Sequence, residues 1–254
     1  MNKKYQLLNE LAKKGQTFSF EDAARISRLS SQSLKVVLSR MEKEGLIERI
    51  EKGKYMIIPL GARKGGYTVN EFIIGSQLIQ PAVIAYWSAL NYHGFTEQIP
   101  ETVFIQTTSR KKEQRLEILG VRYRIVRVTG KKFFGSEKVW IEDVAVEITD
   151  PEKTVVDCLD KPHYCGGIAE AAKALHGDLD IGKLKKYAIN IGNSAVIKRL
   201  GILCDKMGIK IDIEPELLSG NYPLLDPSMH GKGMLNRKWK IRENVDEKIL
   251  GVLE

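Results

Sequence analysis

The sequence predicts an α+β protein in two parts: an N-terminal winged helix-turn-helix, then a larger α+β domain with a mixed or antiparallel sheet and C-terminal helices. Three observations lead there. Apolar residues recur at helical spacing through three short segments before Gly45 and alternate just after it. A glycine-rich run from Gly61 to Gly66 then breaks both patterns. Beyond it, segments rich in Val, Ile, Tyr and Thr between Pro100 and Asp150 give way to helical patterning. The implied domains are residues 1–62 and 67–254.

In the first domain, Tyr5, Leu7, Leu8, Leu11 and Ala12 form one helical stripe, which Lys13, Lys14 and Gly15 close. Ser19 is a helix cap, with Asp22 placed three residues on to complete a variant of the capping box, and Phe20, Ala23, Ala24 and Ile26 supply the buried side. Leu29, Ser30 and Ser31 make the turn into a third helix. There Leu34, Val37, Leu38 and Met41 fall at i, i+3, i+4 and i+7 and face inward. Gly45 ends it, and Leu46 to Ile50 and Lys54 to Ile58 read as two strands joined by Glu51, Lys52 and Gly53.

The charge is concentrated in the same place. Residues 1–66 carry 14 Lys and Arg against 7 Asp and Glu, while the whole chain has 40 against 32. Such localisation suits a phosphate-binding surface, because affinity grows with the counterions released. The outer face of the third helix presents Gln32, Ser33, Lys35, Ser39, Arg40 and Lys43, an amide, hydroxyls and cations able to reach base edges and phosphates. Arg49, Lys52 and Lys54 are expected to line the wing. DNA is the expected partner of this domain.

No run of residues is apolar for the ~20 positions a membrane span requires, and Glu10, Lys13 and Lys14 interrupt any signal-peptide core, so a cytoplasmic protein without a membrane partner is expected. Cys158, Cys165 and Cys204 are an odd number without repeated spacing, which argues against a disulfide framework. Cys158, His163 and Cys165 lack a fourth ligand and finger-like spacing, so no metal site is assigned.

The second domain begins after the glycine run. Thr68 and Glu71 flank a helix start, and Pro81 is expected to open a longer helix through Ala82, Ile84, Ala85, Trp87 and Leu90 that closes at Gly94, with Tyr86, Trp87 and Tyr92 in the core. Strands are predicted at Thr102 to Thr107, Val121 to Val128 and Val144 to Ile148, with shorter candidates at Lys132 to Phe134 and Lys138 to Ile141. Asp150, Pro151 and Glu152 are a cap, a first-turn proline and an early acid. Helices are expected over 167–176, 180–191 and 194–207, before a loop-rich end.

Residues 107–138 hold ten basic and three acidic groups, whereas 141–160 hold seven acids and only Lys153. Either the two stretches neutralise each other across the sheet, or Arg110, Lys111, Lys112, Arg115, Arg122, Arg124, Arg127, Lys131 and Lys132 form a second polyanion surface. The tail from Met229 to Arg242 adds five cations and no acid. Catalysis finds little support: Asp143 is followed two positions on by Ala145 where a paired carboxylate is needed, and no phosphate loop, nucleophile elbow or serine–histidine–acid set is visible. No catalytic residue and no cofactor is assigned, and the chain is not expected to be an enzyme.

The run from Tyr86 through Trp87, Asn91, His93-Gly94 and Phe95 to Pro100, placed after a winged helix, resembles the AbiEi family of antitoxins and predicted regulators of viral defence. Phe134-Gly135, Asp150-Pro151-Glu152-Lys153-Thr154 with Asp157, Pro162 with Gly166-Gly167-Ile168, Leu225-Asp226-Pro227, Trp239 and Asn244 follow in the same order. The resemblance implies a type IV toxin–antitoxin role in abortive infection. The winged helix would repress its own operon, and the C-terminal domain would counteract a nucleotidyltransferase-type toxin, with or without binding it directly. The rival readings are a stand-alone winged-helix regulator that senses a ligand through its second domain and a defence-associated nucleic-acid enzyme using Asp143 and Glu147.

Overall fold

The computed structural model describes residues 3–58, 70–246 and 248–250. Helices α1 (Lys3–Ala12), α2 (Phe20–Ser27) and α3 (Ser31–Lys43) close around Leu11, Ala23, Leu34, Leu38 and Met41, all essentially excluded from solvent. Strands β1 (Thr17–Ser19), β2 (Ile47–Glu51) and β3 (Lys54–Ile57) form an antiparallel sheet in the order β1-β3-β2. This is the winged helix-turn-helix arrangement the sequence predicts, with β1 as an unforeseen third strand. The Gly61 to Gly66 run lies outside the described residues.

The larger part runs α4 (Glu71–Gln77), β4 (Val83–Ile84), α5 (Tyr86–Tyr92), β5 (Thr102–Thr107), β6 (Arg115–Ile118), β7 (Val121–Arg127), β8 (Ser136–Ile141), β9 (Val144–Thr149), α6 (Pro151–Asp160), α7 (Ile168–Ala174), α8 (Ile181–Asn190), α9 (Ser194–Lys206), β10 (Met234–Asn236) and β11 (Ile241–Glu243). Its sheet is mixed, in the order β6-β7-β5-β4-β9-β8, with β5–β7 and β4–β9 parallel and an antiparallel hairpin at each edge. Helices α5 to α9 cover one face over Phe104, Val126, Val155 and Leu200. Helix α4 covers the other over Ile84, Ile105, Ile125 and Ile148, and Ile50 and Met56 of the winged module join that layer. The wing is therefore built into the second core. Among the described residues, no helix is long and apolar enough to cross a membrane.

Several expectations need correction. The helix read from Pro81 does not form: Val83 and Ile84 are buried in the middle of the sheet, bonded to β5 and β9, so helix α5 starts only at Tyr86. Tyr86 is core as expected, but Tyr92 is 44% exposed and Trp87 half-buried. The helix start expected between Thr68 and Glu71 is in place: Asn70 caps α4, its side chain accepting from the Phe72 N–H at 2.9 Å, and Thr68 lies outside the described residues. Lys132 to Phe134 is no strand; residues 130–132 form a 3-10 turn that lays Phe133 and Phe134 against the helical core. Strand β6, alternating charged and apolar residues, was not foreseen.

Helix α9 carries a notch at Gly201, where a Cβ would overlap the six-membered ring of Trp239. The indole is buried, and its Nε1 donates to Asp205 Oδ2 at 2.6 Å one turn further along the helix. Gly201→Ala should gain about 1 kcal/mol of helix propensity and lose about 1–3 kcal/mol or more to overpacking. The expected net is a Tm lowered by roughly 2–6 °C in a thermal melt; an unchanged or raised Tm would mean that Trp239 moves aside freely.

Candidate nucleic-acid interface

The helix-turn-helix is fixed by its caps. Ser19 Oγ accepts from the Asp22 N–H and Asp22 Oδ2 accepts from the Ser19 N–H, both at 3.1 Å, which is the reciprocal capping box. The Ser19 hydroxyl, donating to Asp22 Oδ2 at 2.7 Å, and the Ser19 N–H hold the Asp22 carboxyl below the usual carboxylate range. Arg28 adopts the left-handed conformation (φ 52°) that ends α2, and Ser30 caps α3 by accepting from the Ser33 N–H at 3.2 Å. With Leu34, Leu38 and Met41 buried, Gln32, Ser33, Lys35, Ser39, Arg40 and Lys43 all stand exposed, as the spacing predicts.

No ion pair engages Lys35, Arg40 or Lys43 among the described residues, whereas Lys4 and Arg25 on neighbouring helices are paired with Glu44 and Asp22. Val36 also lies open on this face, 47% exposed, one turn from both Gln32 and Arg40. Sequence periodicity gave it no role. An apolar side chain set among polar ones suits a thymine methyl in a major groove.

The wing divides. Arg49 and Lys52 are exposed, but Lys54, expected beside them, is turned onto the larger part. Its Nζ donates to the carbonyls of Gln77 at 2.6 Å and Leu78 at 2.8 Å, and burial holds the ammonium below the usual lysine range. Lys111 completes this clasp, lying 2.7 Å from Glu51 and donating to the Leu78 carbonyl at 2.8 Å. Two lysines thus satisfy the carbonyl end of α4. Neither has its ammonium available to a phosphate.

The basic stretch of the larger part does not form one surface. Lys132 pairs with Asp160 at 2.6 Å, Arg122 with Glu101, and Arg127 Nε donates to the Thr108 carbonyl at 3.3 Å. Arg110, Lys112 and Lys131 are exposed, while Arg115 and Arg124 face each other across β6 and β7. Lys132–Asp160 is the one ion pair among the described residues that joins the 107–138 and 141–160 stretches. Neutralisation of the acidic stretch falls instead to Lys153, 2.5 Å from Asp157, and to Lys183, 2.7 Å from Glu152.

Several of the remaining motif residues serve as framework, with Asp150, Asp226 and Asn244 buried. Asp150 caps α6 and accepts from the Tyr187 hydroxyl at 3.1 Å. Asp226 Oδ2 accepts from the Ile168 N–H at 2.8 Å, Asn244 Nδ2 donates to the Asp226 carbonyl at 2.8 Å, and a Cβ on Gly167 would crowd that carboxylate. His93 Nε2 lies 2.7 Å from the Thr149 carbonyl. The three cysteines are buried and free, and no cluster of metal-ligating residues occurs among the described residues. Asp143 is exposed in the β8–β9 turn, and Glu147 accepts from the Ser136 hydroxyl at 2.9 Å.

Residues 5–58 match the family described as transcriptional regulator, AbiEi antitoxin. The N-terminal module is thus similar to AbiEi-type regulators over those residues. The match covers all of α2, α3 and the wing, so every exposed group on the α3 face lies inside it. No curated protein matches the chain.

Proposed function

We propose that this chain is the DNA-binding antitoxin of a type IV toxin–antitoxin system: a cytoplasmic repressor of its own operon that also counteracts a nucleotidyltransferase-type toxin through its larger domain, with no catalysis of its own. The observation that carries this reading is the coincidence of the AbiEi match with a helix face holding Lys35, Arg40 and Lys43, without ion pairs among the described residues, beside Gln32, Ser39 and Val36. Laid in a major groove, the first turns of α3 offer Gln32 and Ser33 to base edges, while Arg40, Lys43 and the wing residues Arg49 and Lys52 flank the phosphates. The larger domain supplies the antitoxin activity, as the motif order from Tyr86 to Asn244 suggests.

Growth rescue tests the reading. Co-expression of the full chain with the nucleotidyltransferase encoded beside it is expected to restore growth, and a reporter driven by the operon's promoter is expected to fall silent. Toxicity that the full chain does not relieve, with the reporter still repressed, would favour a stand-alone regulator instead.

A further inference from the structure

Across the antiparallel β6–β7 pair, Arg115 stands directly opposite Arg124. Like charges in that position oppose each other through side chains whose Cβ atoms are about 5 Å apart. The next pair along, Glu117 opposite Arg122, is complementary, and Arg122 is also paired with Glu101. No carboxylate pairs with Arg115 or Arg124 among the described residues. Two cationic side chains that share one face of the pair with no carboxylate partner among the described residues repel each other, and a bound anion would offset that repulsion.

The surroundings add planar surfaces. Arg115 and Arg124 line an open groove of about 620 Å³, floored by Thr102 and Phe104 of β5 and walled by His163 and Tyr164 of the 3-10 turn Pro162–Tyr164. Phe104 and Tyr164 rings lie 5.6 Å apart, His163 and Tyr164 4.0 Å, and the Arg124 guanidinium lies 5.8 Å from the Tyr164 ring. The volume falls within the ~300–1,000 Å³ of small-molecule sites. Glu117 is the one acid among the residues lining the groove, and it faces Arg122.

We propose that this groove binds a nucleoside phosphate, with the phosphate bridging Arg115 and Arg124 and the base stacking on the Tyr164–His163 surface. Guanidinium pairs grip phosphate oxygens bidentately, and aromatic rings accept any base face, so the two recognitions cooperate on one ligand class. The same chemistry is presented by a free nucleotide and by one residue of a single strand. The proposal is independent of the operator reading, because none of these residues lies on α3 or the wing. Lys111, which clasps the wing, sits in the loop leading into β6.

Calorimetric titration of the full chain with ATP, GTP, CTP and UTP, beside inorganic pyrophosphate and adenosine, tests it. Binding of at least one nucleotide is expected, weakened tenfold or more by Arg115→Ala and by Arg124→Ala but not by Arg110→Ala, with an unchanged thermal melt as the check on folding. Tyr164→Ala should weaken nucleotide binding while leaving pyrophosphate affinity unchanged. A four-nucleotide RNA binding more tightly than the mononucleotides, with the same sensitivity to Arg115→Ala, would assign the groove to a strand; equal or weaker binding would assign it to free nucleotide. No nucleotide binding at millimolar concentration, binding that survives both arginine substitutions, or equal affinity for pyrophosphate and nucleotide would overturn the proposal.

Discussion

Replacing Lys35 and Arg40 together by alanine is expected to weaken operator binding about 10- to 100-fold near physiological salt, and to lower the slope of log affinity against log salt by about two, at roughly 0.9 for each phosphate no longer neutralised. Both side chains are exposed on α3 and neither is engaged in an ion pair among the described residues, so truncation releases no buried partner and should leave the melting temperature nearly unchanged. Lys54→Ala is the informative contrast. Its ammonium sits on the Gln77 and Leu78 carbonyls, so the salt slope should stay as it is. Electrophoretic mobility shifts or fluorescence anisotropy across a salt series read both. An unchanged slope for the double variant, or a slope lowered by Lys54→Ala, would remove α3 as the phosphate-facing helix or return Lys54 to the DNA.

That contrast marks where sequence reasoning stops. The three N-terminal helices were legible because local chemistry specifies them: a cap at Ser19, an apolar stripe through Leu34, Leu38 and Met41, and a glycine stop, although Ser30, read only as a turn residue, proves to cap α3 and Ser31 to open it. The fate of Lys54 was not, because its partners are the last carbonyls of a helix more than twenty residues away, and alternation within a hairpin does not say which face another element will cover. The same limit hid β4. Val83 and Ile84 belong to a run whose apolar spacing also suits a helix, and only their place between β5 and β9 makes them strand. Strand β6 went unseen because an edge strand with one buried face keeps charge on the other, so Arg115 and Glu117 diluted the β pattern.

The basic stretch at residues 107–138 shows this for a site rather than a fold. Composition placed ten cations together, yet strand geometry sends alternate side chains to opposite faces, and the partners waiting there differ for each. Lys132 meets Asp160, Arg122 meets Glu101 and Lys111 meets the wing. Register, which the charge pattern of a single sequence does not specify, decides that Arg115 and Arg124 are the cross-strand pair left without a counter-charge among the described residues.

Lys153→Met is expected to be the most destabilising single change in the larger domain, at about 3–5 kcal/mol, because it strands a buried charge. Lys153 has no exposure at all, lies 2.5 Å from Asp157 one helical turn on, and sits 5.0 Å from the Phe134 ring centroid. The other carboxylate oxygen of Asp157 accepts from Gln106 Nε2 at 3.1 Å, and that amide also donates to the Tyr86 hydroxyl at 3.2 Å. Burial pushes the Asp157 carboxyl above its ordinary range even with the lysine present. Without the ammonium the shift upward must grow. A carboxyl whose folded pKa exceeds its unfolded one holds its proton more tightly in the fold, so the variant's deficit should be smallest in acid and widen as pH rises from the unfolded value toward the folded one. Urea unfolding at pH 5 and pH 7.5 reads this directly. Pairing the change with Asp157→Leu removes both charges and should recover most of the stability. A deficit equal at both pH values and not relieved by the second substitution would show that Lys153 acts through packing of its methylene stem rather than through its charge.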